Sequence, residues 1–576
     1  MENTIRRVVM NTKKEKLHLS AEQQNWVDET FRRMSVEDKI GQIFCISMPV
    51  NDTEKLREVI RRYRPGGFMF RPDLMQAIRE GSRVLQETTE IPLLLAANLE
   101  CGGNGLYHEG TFFGRNLEIA ATDDEIYAYR QGYICGAEAG AVGVNWAFAP
   151  VVDIDYNWRN PITNVRTYGN DPDRVIRMGK AYMYGIRKAC ASMSVCIKHF
   201  PGDGIDERDQ HLLPSVNSLT AEEWRRTYGR VYRQLIDEGA ETLMVGHILQ
   251  PALEKSMQPD LADREILPAS LSRNLVSGVI RGKMGFDGLI VTDSTNMVGY
   301  TALKSRKEAI ALSLMAGVDM ILFCKDMEED FAGVRESLRQ GKITEERLDE
   351  AVLRQLTLKA AKGLNKTRHT DVQLSGGTKE MFAGWAYECA QKAVTLVKDT
   401  QALLPISPNR TKRIRLTVLG EDDQKGAFGD SGRVTEGMKQ ELEKRGFEVS
   451  VYDYSTLENN EIVDNGTADM KAKFDLSIIV ANVSTGSNYT SRRIDWIPFL
   501  AADCPWYVKD IPTMFISFCN PHHMIDVPFI STFINAYSAN SQCIRTTVEK
   551  MTGEGGFEGI NPSDVWCGNV WCAKEY

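Results

Sequence analysis

The chain has 576 residues, a formal net charge of −9, 43% hydrophobic residues and 26% charged residues. It is too long for one ordinary domain, so we predict one large domain and a smaller one. The negative charge argues against nucleic acid or an anionic membrane as a partner, because each would require a basic face on the protein.

The sequence opens without an apolar signal segment, and no apolar stretch is long enough to span a bilayer. The 12 cysteines are scattered, without the close spacing of a metal site or of a disulfide framework. We therefore predict a cytoplasmic protein with mostly reduced cysteines and no bound metal.

Residues 1–20 are polar and basic, and we predict a flexible arm. Between residues 21 and 364, short apolar runs alternate with longer segments of helical periodicity. The predicted strands are Ile40–Ser47, Gly66–Phe70, Pro92–Ala97, Val144–Ile154, Ser194–His199, Thr242–His247, Leu289–Asp293 and Val318–Cys324. The predicted helices include Leu74–Glu90, Asp123–Ala139, Asp171–Ala189, Ala221–Glu238, Ser270–Lys283 and Lys304–Ala316. This alternation predicts a (β/α)8 barrel, with a doubly wound open sheet as the alternative.

Residues 365–395 are predicted to be a linker, and residues 396–576 a smaller, doubly wound α/β domain. The strands predicted here are Val394–Val397, Ile414–Gly420, Val449–Tyr454, Leu476–Ala481, Met514–Phe518 and Phe533–Ala536. The sequence contains neither a dinucleotide-binding fingerprint nor a phosphate-binding loop motif, so we predict no cofactor. The role of this domain stays open, and a homodimer contact is one alternative.

Polar residues concentrate where the predicted barrel strands end. In a barrel, these strand ends and their loops converge on one rim, where active sites are built. An open sheet would not explain rim residues on so many successive units, so this distribution favours the barrel. The residues are Asn98, Glu100, Asp153, Asp155, Lys198, His199, His247 and Asp293.

Two groups of residues have the chemistry of a catalytic site. Asp293 ends a buried strand, so its carboxylate would face the rim; a helix cap is the alternative. Asp209 and His211 are separated by one residue, which points both side chains to the same side of an extended loop. A carboxylate beside an imidazole fixes its tautomer for proton transfer, and an ordinary loop histidine is the alternative.

The segment Lys198–Gly204 reads Lys-His-Phe-Pro-Gly-Asp-Gly, and Asp209-Gln210-His211 follows after four residues. This pattern resembles the K-H-F-P-G-[HD]-G-x4-D-x-H signature of the β-N-acetylglucosaminidase branch of glycoside hydrolase family 3. Further similarities to that family lie in Asn164–Gly169, Met244–His247 and Gly285–Ser294. The resemblance covers residues 25–360 and extends more weakly through residues 393–405.

The resemblance implies a role for each catalytic candidate. Asp293 would be the nucleophile that forms a covalent glycosyl-enzyme, and His211, oriented by Asp209, would be the acid and then the base. Lys198, His199 and Arg166 would bind sugar hydroxyls. The alternative for Lys198 and Arg166 is a structural ion-pair network, and the alternative for His247 to sugar contact is packing.

The sequence departs from the family at the end of the third strand. The family commonly has D-x-E-G-G-R there, whereas this chain reads Asn98-Leu99-Glu100-Cys101-Gly102-Gly103-Asn104. Asn98 both donates and accepts hydrogen bonds, so it can still hold a hydroxyl pair, and Glu100 is a further candidate for sugar binding. The loss of the charged pair leaves the identity of the sugar open.

The leading hypothesis is a retaining exo-acting β-N-acetylhexosaminidase whose partner is a small saccharide. A β-glucosidase or a glycoside phosphorylase would use the same site, and an imidazole acid/base would not repel an anionic acceptor. A non-catalytic sugar-binding protein is disfavoured because Asp293, Asp209 and His211 are all present. A metal-dependent hydrolase is disfavoured because the histidines lack metal-ligand spacing.

Overall fold

The computed structural model describes residues 19–420, 434–458, 466–490, 493–496 and 503–569. The predicted arm over residues 1–20 lies almost wholly outside these ranges. Eight parallel strands close into a barrel, in the order β1-β8-β7-β6-β5-β4-β3-β2. They are β1 Phe44–Ile46, β2 Gly67–Met69, β3 Leu94–Ala97, β4 Trp146–Ala147, β5 Ser194–Phe200, β6 Thr242–Val245, β7 Leu289–Ser294 and β8 Met320–Leu322. Each lies within a predicted strand or overlaps one, and the prediction of a barrel is confirmed.

The helices of the barrel half lie between and around these strands. They are α1 Ala21–Arg33, α2 Val36–Gln42, α3 Thr53–Tyr63, α4 Met75–Thr88, α5 Asn116–Ala121, α6 Glu125–Ala141, α7 Pro172–Ala189, α8 Ala221–Arg226, α9 Tyr228–Asp237, α10 Pro251–Met257, α11 Val298–Thr301, α12 Arg306–Ala316, α13 Met327–Arg339 and α14 Glu345–Ala361. The helix predicted from residue 270 to residue 283 forms a π-helix over Asn274–Lys283. The local sequence determines where several of these helices begin. For example, Thr220 and Glu223 form the capping box at the start of α8.

The barrel interior is filled by side chains that alternate along the strands. Leu94 and Ala96 of β3 belong to the interior cluster, together with Cys196 of β5 and Leu289 and Val291 of β7. Because side chains on one face of a strand recur every two residues, the next inward positions lie at the mouth of the barrel. The residues at those positions are Asn98, Lys198 and Asp293.

The second domain contains a six-stranded sheet in the order β9-β14-β13-β12-β10-β11, parallel except for the β9–β14 pair. Its strands are β9 Thr395–Asp399, β10 Arg413–Leu419, β11 Glu448–Val451, β12 Leu476–Ala481, β13 Thr513–Ser517 and β14 Thr532–Asn535. Its helices are α16 Val434–Glu443, α17 Thr467–Lys473 and α18 Ser541–Met551. This separate α/β domain was also predicted.

The segment predicted to be a linker, residues 365–395, contains the 18-residue helix α15, Gly376–Ala393. Ser375 caps the helix by accepting a hydrogen bond from the Thr378 N–H. Phe382 of this helix belongs to the core of the barrel, whereas Ala390 belongs to the core of the second domain. The helix therefore packs against both domains, and only the stretch before it is irregular.

Polar contacts join the second domain to the carboxyl-terminal end of the barrel. The Ser563 hydroxyl donates to Asp155 Oδ2 at 2.7 Å, and Asn164 Nδ2 lies 3.0 Å from His522 Nδ1. No disulfide joins the cysteines in the described ranges. None of the helices described is both long and apolar enough to cross a membrane.

Candidate active site

Glu100 is the centre of an ion-pair cluster at the mouth of the barrel. Its carboxylate receives two hydrogen bonds from Arg166, each of 2.9 Å, and lies 2.7 Å from Lys198 Nζ. The Glu100 side chain is almost fully buried. Burial opposes ionisation, but the two cations outweigh it and hold the pKa of Glu100 well below its usual range. Asn98 Oδ1 accepts a further hydrogen bond from Lys198 Nζ at 3.3 Å.

Asp293 lies at the end of β7 with 15% of its side chain exposed. Its Oδ2 is 3.9 Å from His199 Nε2, and its Oδ1 accepts a hydrogen bond from the Ser294 N–H. Burial again opposes ionisation, but the neighbouring imidazoles, chiefly that of His199, outweigh it and lower the pKa of Asp293. The site therefore contains an ionised carboxylate that remains open to solvent.

His199 is buried and held from its other side by Asp153, a rim residue to which the sequence assigned no role. Its Nδ1 lies 2.7 Å from Asp153 Oδ2, and its backbone N–H donates to Asp153 Oδ1. Burial opposes ionisation of Asp153, but the imidazole outweighs it and lowers the pKa of Asp153. This contact points His199 Nε2 towards Asp293.

Asp209 and His211 form the pair that the sequence predicted. His211 Nδ1 and the His211 backbone N–H each lie 2.7 Å from Asp209 Oδ1. The imidazole is 24% exposed, whereas the Asp209 side chain is buried. The Val298 N–H, at the start of α11, donates to the His211 carbonyl oxygen at 2.9 Å. The loop that carries the dyad thus contacts the first helix after Asp293.

The backbone of the dyad loop is anchored by Gln210, between the two catalytic candidates. Its side-chain Nε2 donates to Asp203 Oδ2 at 3.3 Å, and its side-chain Oε1 accepts from the His247 backbone N–H at 2.8 Å. Asn160 Nδ2 donates to the other oxygen of Asp203. Burial, together with the Asp153 carboxylate, raises the pKa of Asp203 to about 6.

His247 lies beneath the site and not on its surface. It is fully buried, its Nδ1 lies 2.9 Å from the Ser270 hydroxyl, and its Nε2 lies 3.0 Å from the Ser294 carbonyl oxygen. Burial lowers the pKa of His247 to about 4, so the ring is neutral at pH 7. Because both ring nitrogens already have hydrogen-bond partners, the geometry favours a packing role for His247, in which it holds the chain after Asp293, over the predicted contact with sugar.

Within the described residues, no three His, Cys, Asp or Glu side chains are grouped as metal ligands.

A family model described as "Glycosyl hydrolase family 3 N terminal domain" matches residues 35–358. A "Beta-N-acetylglucosaminidase/beta-glucosidase" of Cellulomonas fimi is 39% identical over 545 residues, which cover 94% of this chain and 96% of that protein. The chain belongs to glycoside hydrolase family 3. It is an enzyme of the glycoside hydrolase type.

Solved structures extend the similarity of this family 3 enzyme over both domains. A structure titled "Beta-glucoside phosphorylase BglX" has a TM-score of 0.89 and 41% identity, and covers 98% of this chain and 99% of that one. A family 3 β-N-acetylglucosaminidase from Paenibacillus sp. str. FPU-7 has a TM-score of 0.77 and 24% identity, and covers 92% and 99% of the two chains. At that identity, the second likeness shows the shared fold.

We expect Glu100→Gln to lower both stability and activity of this family 3 enzyme. The neutral amide would deprive Lys198 and Arg166 of the carboxylate that they share, and removing one partner of a buried ion pair costs roughly 3–5 kcal/mol. Displacement of Arg166 and Lys198 should reduce kcat/KM on the order of 10²-fold. Calorimetric unfolding and steady-state kinetics measure the two effects.

The matched control is Glu241→Gln at the amino-terminal end of β6. Glu241 is also buried between two cations, with Lys362 Nζ at 2.7 Å and Arg187 Nη2 at 3.2 Å. This control should lower the unfolding temperature but preserve kcat/KM. Equal losses of activity in the two variants would contradict a role for Glu100 in the site.

We expect His247→Phe to lower kcat with little change in KM. Phenylalanine retains a ring against Tyr300, whose centroid lies 5.1 Å from that of His247, but removes the donor to the Ser294 carbonyl oxygen. His247→Gln keeps an amide donor and should recover part of kcat. A large rise in KM with unchanged kcat would instead indicate a direct sugar contact.

Proposed function

We propose that this enzyme removes terminal β-linked N-acetylglucosamine or glucose by a retaining double displacement. The observation that carries the proposal is the ionised, partly exposed Asp293 carboxylate, close to His199 and to the loop of the Asp209–His211 dyad. Retaining glycosidases need a carboxylate nucleophile on one side of the anomeric carbon and a proton donor at the leaving oxygen. These two groups supply the required chemistry.

In the first step, Asp293 attacks the anomeric carbon while His211 Nε2 gives its proton to the glycosidic oxygen. The carbon–oxygen bond breaks, the alcohol leaves, and the sugar becomes an ester of Asp293. Asp209 accepts the Nδ1 proton of His211, so the proton that the imidazolium gives up in this step is the one on Nε2, and the neutral ring is left with Nε2 free to accept. In the second step, neutral His211 takes a proton from the acceptor, which attacks the ester and restores Asp293.

Lys198 and Arg166 are proposed to bind sugar hydroxyls, with Glu100 holding their side chains in place. Each cation retains donors beyond those given to Glu100, because an ammonium has three and a guanidinium five. His199 donates from Nε2 towards the nucleophile side of the sugar, and Asn98 offers an amide where the family commonly has an aspartate. Both sugars are proposed because the relative from Cellulomonas fimi is named for both activities.

A 2-fluoro glycoside with a good leaving group should label Asp293. The fluorine slows both displacements, and the good leaving group allows the first to proceed, so the ester accumulates. We expect peptide mass spectrometry to place the added sugar on Asp293 in the wild-type protein and to find none in Asp293→Asn. A label on another carboxylate would overturn the assignment, and the accepted analogue would identify the sugar.

A second proposal concerns the molecule that attacks the glycosyl ester in the second step. We propose that inorganic phosphate competes with water for this role. The likeness in both sequence and fold to a structure titled as a β-glucoside phosphorylase favours it. The proposed base supports it physically, because neutral imidazole does not repel an anion as a carboxylate base would. Phosphate oxygen would attack the ester on Asp293, form the β-sugar phosphate and release the carboxylate.

Chromogenic β-glucosides and β-N-acetylglucosaminides, each assayed with and without phosphate, test the acceptor. We expect turnover to rise several-fold with phosphate and the product to be the sugar 1-phosphate with the β configuration, detected by phosphorus NMR. His211→Glu should reduce phosphate use more than water use, since it places a carboxylate at the acceptor. Free sugar as the only product at saturating phosphate would refute phosphorolysis.

A further inference from the structure

The Asp209 carboxylate is shared between the two domains of the chain. Oδ1 faces His211, whose backbone N–H and Nδ1 both lie 2.7 Å away. Oδ2 accepts a hydrogen bond of 2.6 Å from the backbone N–H of Asn488, which belongs to the second domain. Asp209 is 1% exposed, so solvent does not compete for either oxygen.

The other hydrogen bonds that hold the dyad loop come from the barrel, whereas the hydrogen bond to Asp209 Oδ2 comes from the second domain. The Asp209 carbonyl oxygen accepts from the N–H groups of Leu212 and Leu213, and Gln210 is anchored through its amide. Among the contacts of the described residues, the Asn488 N–H is the one hydrogen bond to Asp209 Oδ2. The barrel thus fixes the backbone of the dyad loop, and the second domain fixes the carboxylate.

Asn488 has the backbone conformation that this contact requires. It lies in the segment that follows β12, and its φ is +70°, in the left-handed region. Asparagine enters this region more readily than most residues do, and glycine most readily of all. At the root of the segment, the buried Asn482 donates its N–H to the Leu419 carbonyl oxygen at 2.8 Å.

We propose that Asn488 is a positioning residue for the acid/base step, acting from the second domain through Asp209. Without its N–H, Asp209 Oδ2 would be a buried carboxylate oxygen without a donor, which is costly. The carboxylate would rotate or the dyad loop would shift, and His211 would lose the alignment needed for proton transfer. The inference rests on the proposed function, because it requires His211 to be the acid.

Three substitutions at Asn488 distinguish the effect of its backbone N–H from the effects of its side chain and of its φ angle. Asn488→Gly keeps the N–H and favours positive φ, so it is the matched control. Asn488→Val keeps the N–H but disfavours positive φ. Asn488→Pro removes the N–H and holds φ near −65°, so the contact is lost.

Aryl glycosides of different leaving groups provide the readout. A 2,4-dinitrophenyl group departs without protonation, whereas a 4-methoxyphenyl group needs the acid. For Asn488→Pro we expect kcat/KM to fall on the order of 10-fold or more with the methoxyphenyl substrate. The dinitrophenyl substrate should change less than about threefold, since it does not use the acid step. Valine should give an intermediate result, and glycine should behave as wild type.

His211→Ala sets the scale for the same two substrates. If it shows strong dependence on the leaving group while Asn488→Pro shows none, the positioning role is refuted and the proposed function stands. If Asn488→Pro slows both substrates equally, the contact is merely structural and the inference is also refuted. If His211→Ala itself lacks the dependence, the proposed acid is wrong. Unfolding temperatures of all variants identify those that fail to fold.

Discussion

The buried carboxylate of Glu100 is the interaction on which the mouth of the barrel depends. It ties the end of β3 to Lys198 on β5 and to Arg166 on the turn Asn164–Arg166. Burial opposes the charge of Arg166, but Glu100 makes the largest contribution to raising its pKa, and the nearby carboxylates of Asp153 and Asp293 add to it. Burial of this many charges is tolerable because each has a partner.

Two His–Asp pairs of similar geometry have different surroundings. In each, Nδ1 of the imidazole lies 2.7 Å from a buried carboxylate. His199 is 5% exposed and points at Asp293, whereas His211 is 24% exposed on a loop. A histidine must reach solvent or substrate to exchange a proton, so the exposed ring suits proton transfer and the buried ring suits orientation. The roles proposed for the two histidines therefore rest on their burial more than on their hydrogen bonds.

Much of the barrel and its rim could be predicted because the signals are local. Each strand is an apolar run, and the inward alternation along β5 and β7 carries directly to Lys198 and Asp293. The helix α15 within the predicted linker was not predicted, because its apolar residues are divided between the cores of the two domains and follow a polar stretch before Ser375. The contact of Asn488 was beyond prediction, since a backbone N–H carries no side-chain signature and its partner lies 279 positions away. His247 lies in a motif similar to the family's, but the sequence does not show that its side chain is fully buried, which favours packing over contact with sugar.

The two domains are joined at more than the covalent connection. The Pro562 carbonyl oxygen accepts hydrogen bonds from the Asn170 N–H and from Arg174 Nη1, each of 3.1 Å, and Ser563 contacts Asp155. The chain thus leaves the barrel through α15, builds the second sheet and returns to the barrel. A hinged separation of the two domains would have to break these contacts of Pro562 and Ser563 with the barrel. Substrate entry by wide opening of the domains is therefore disfavoured.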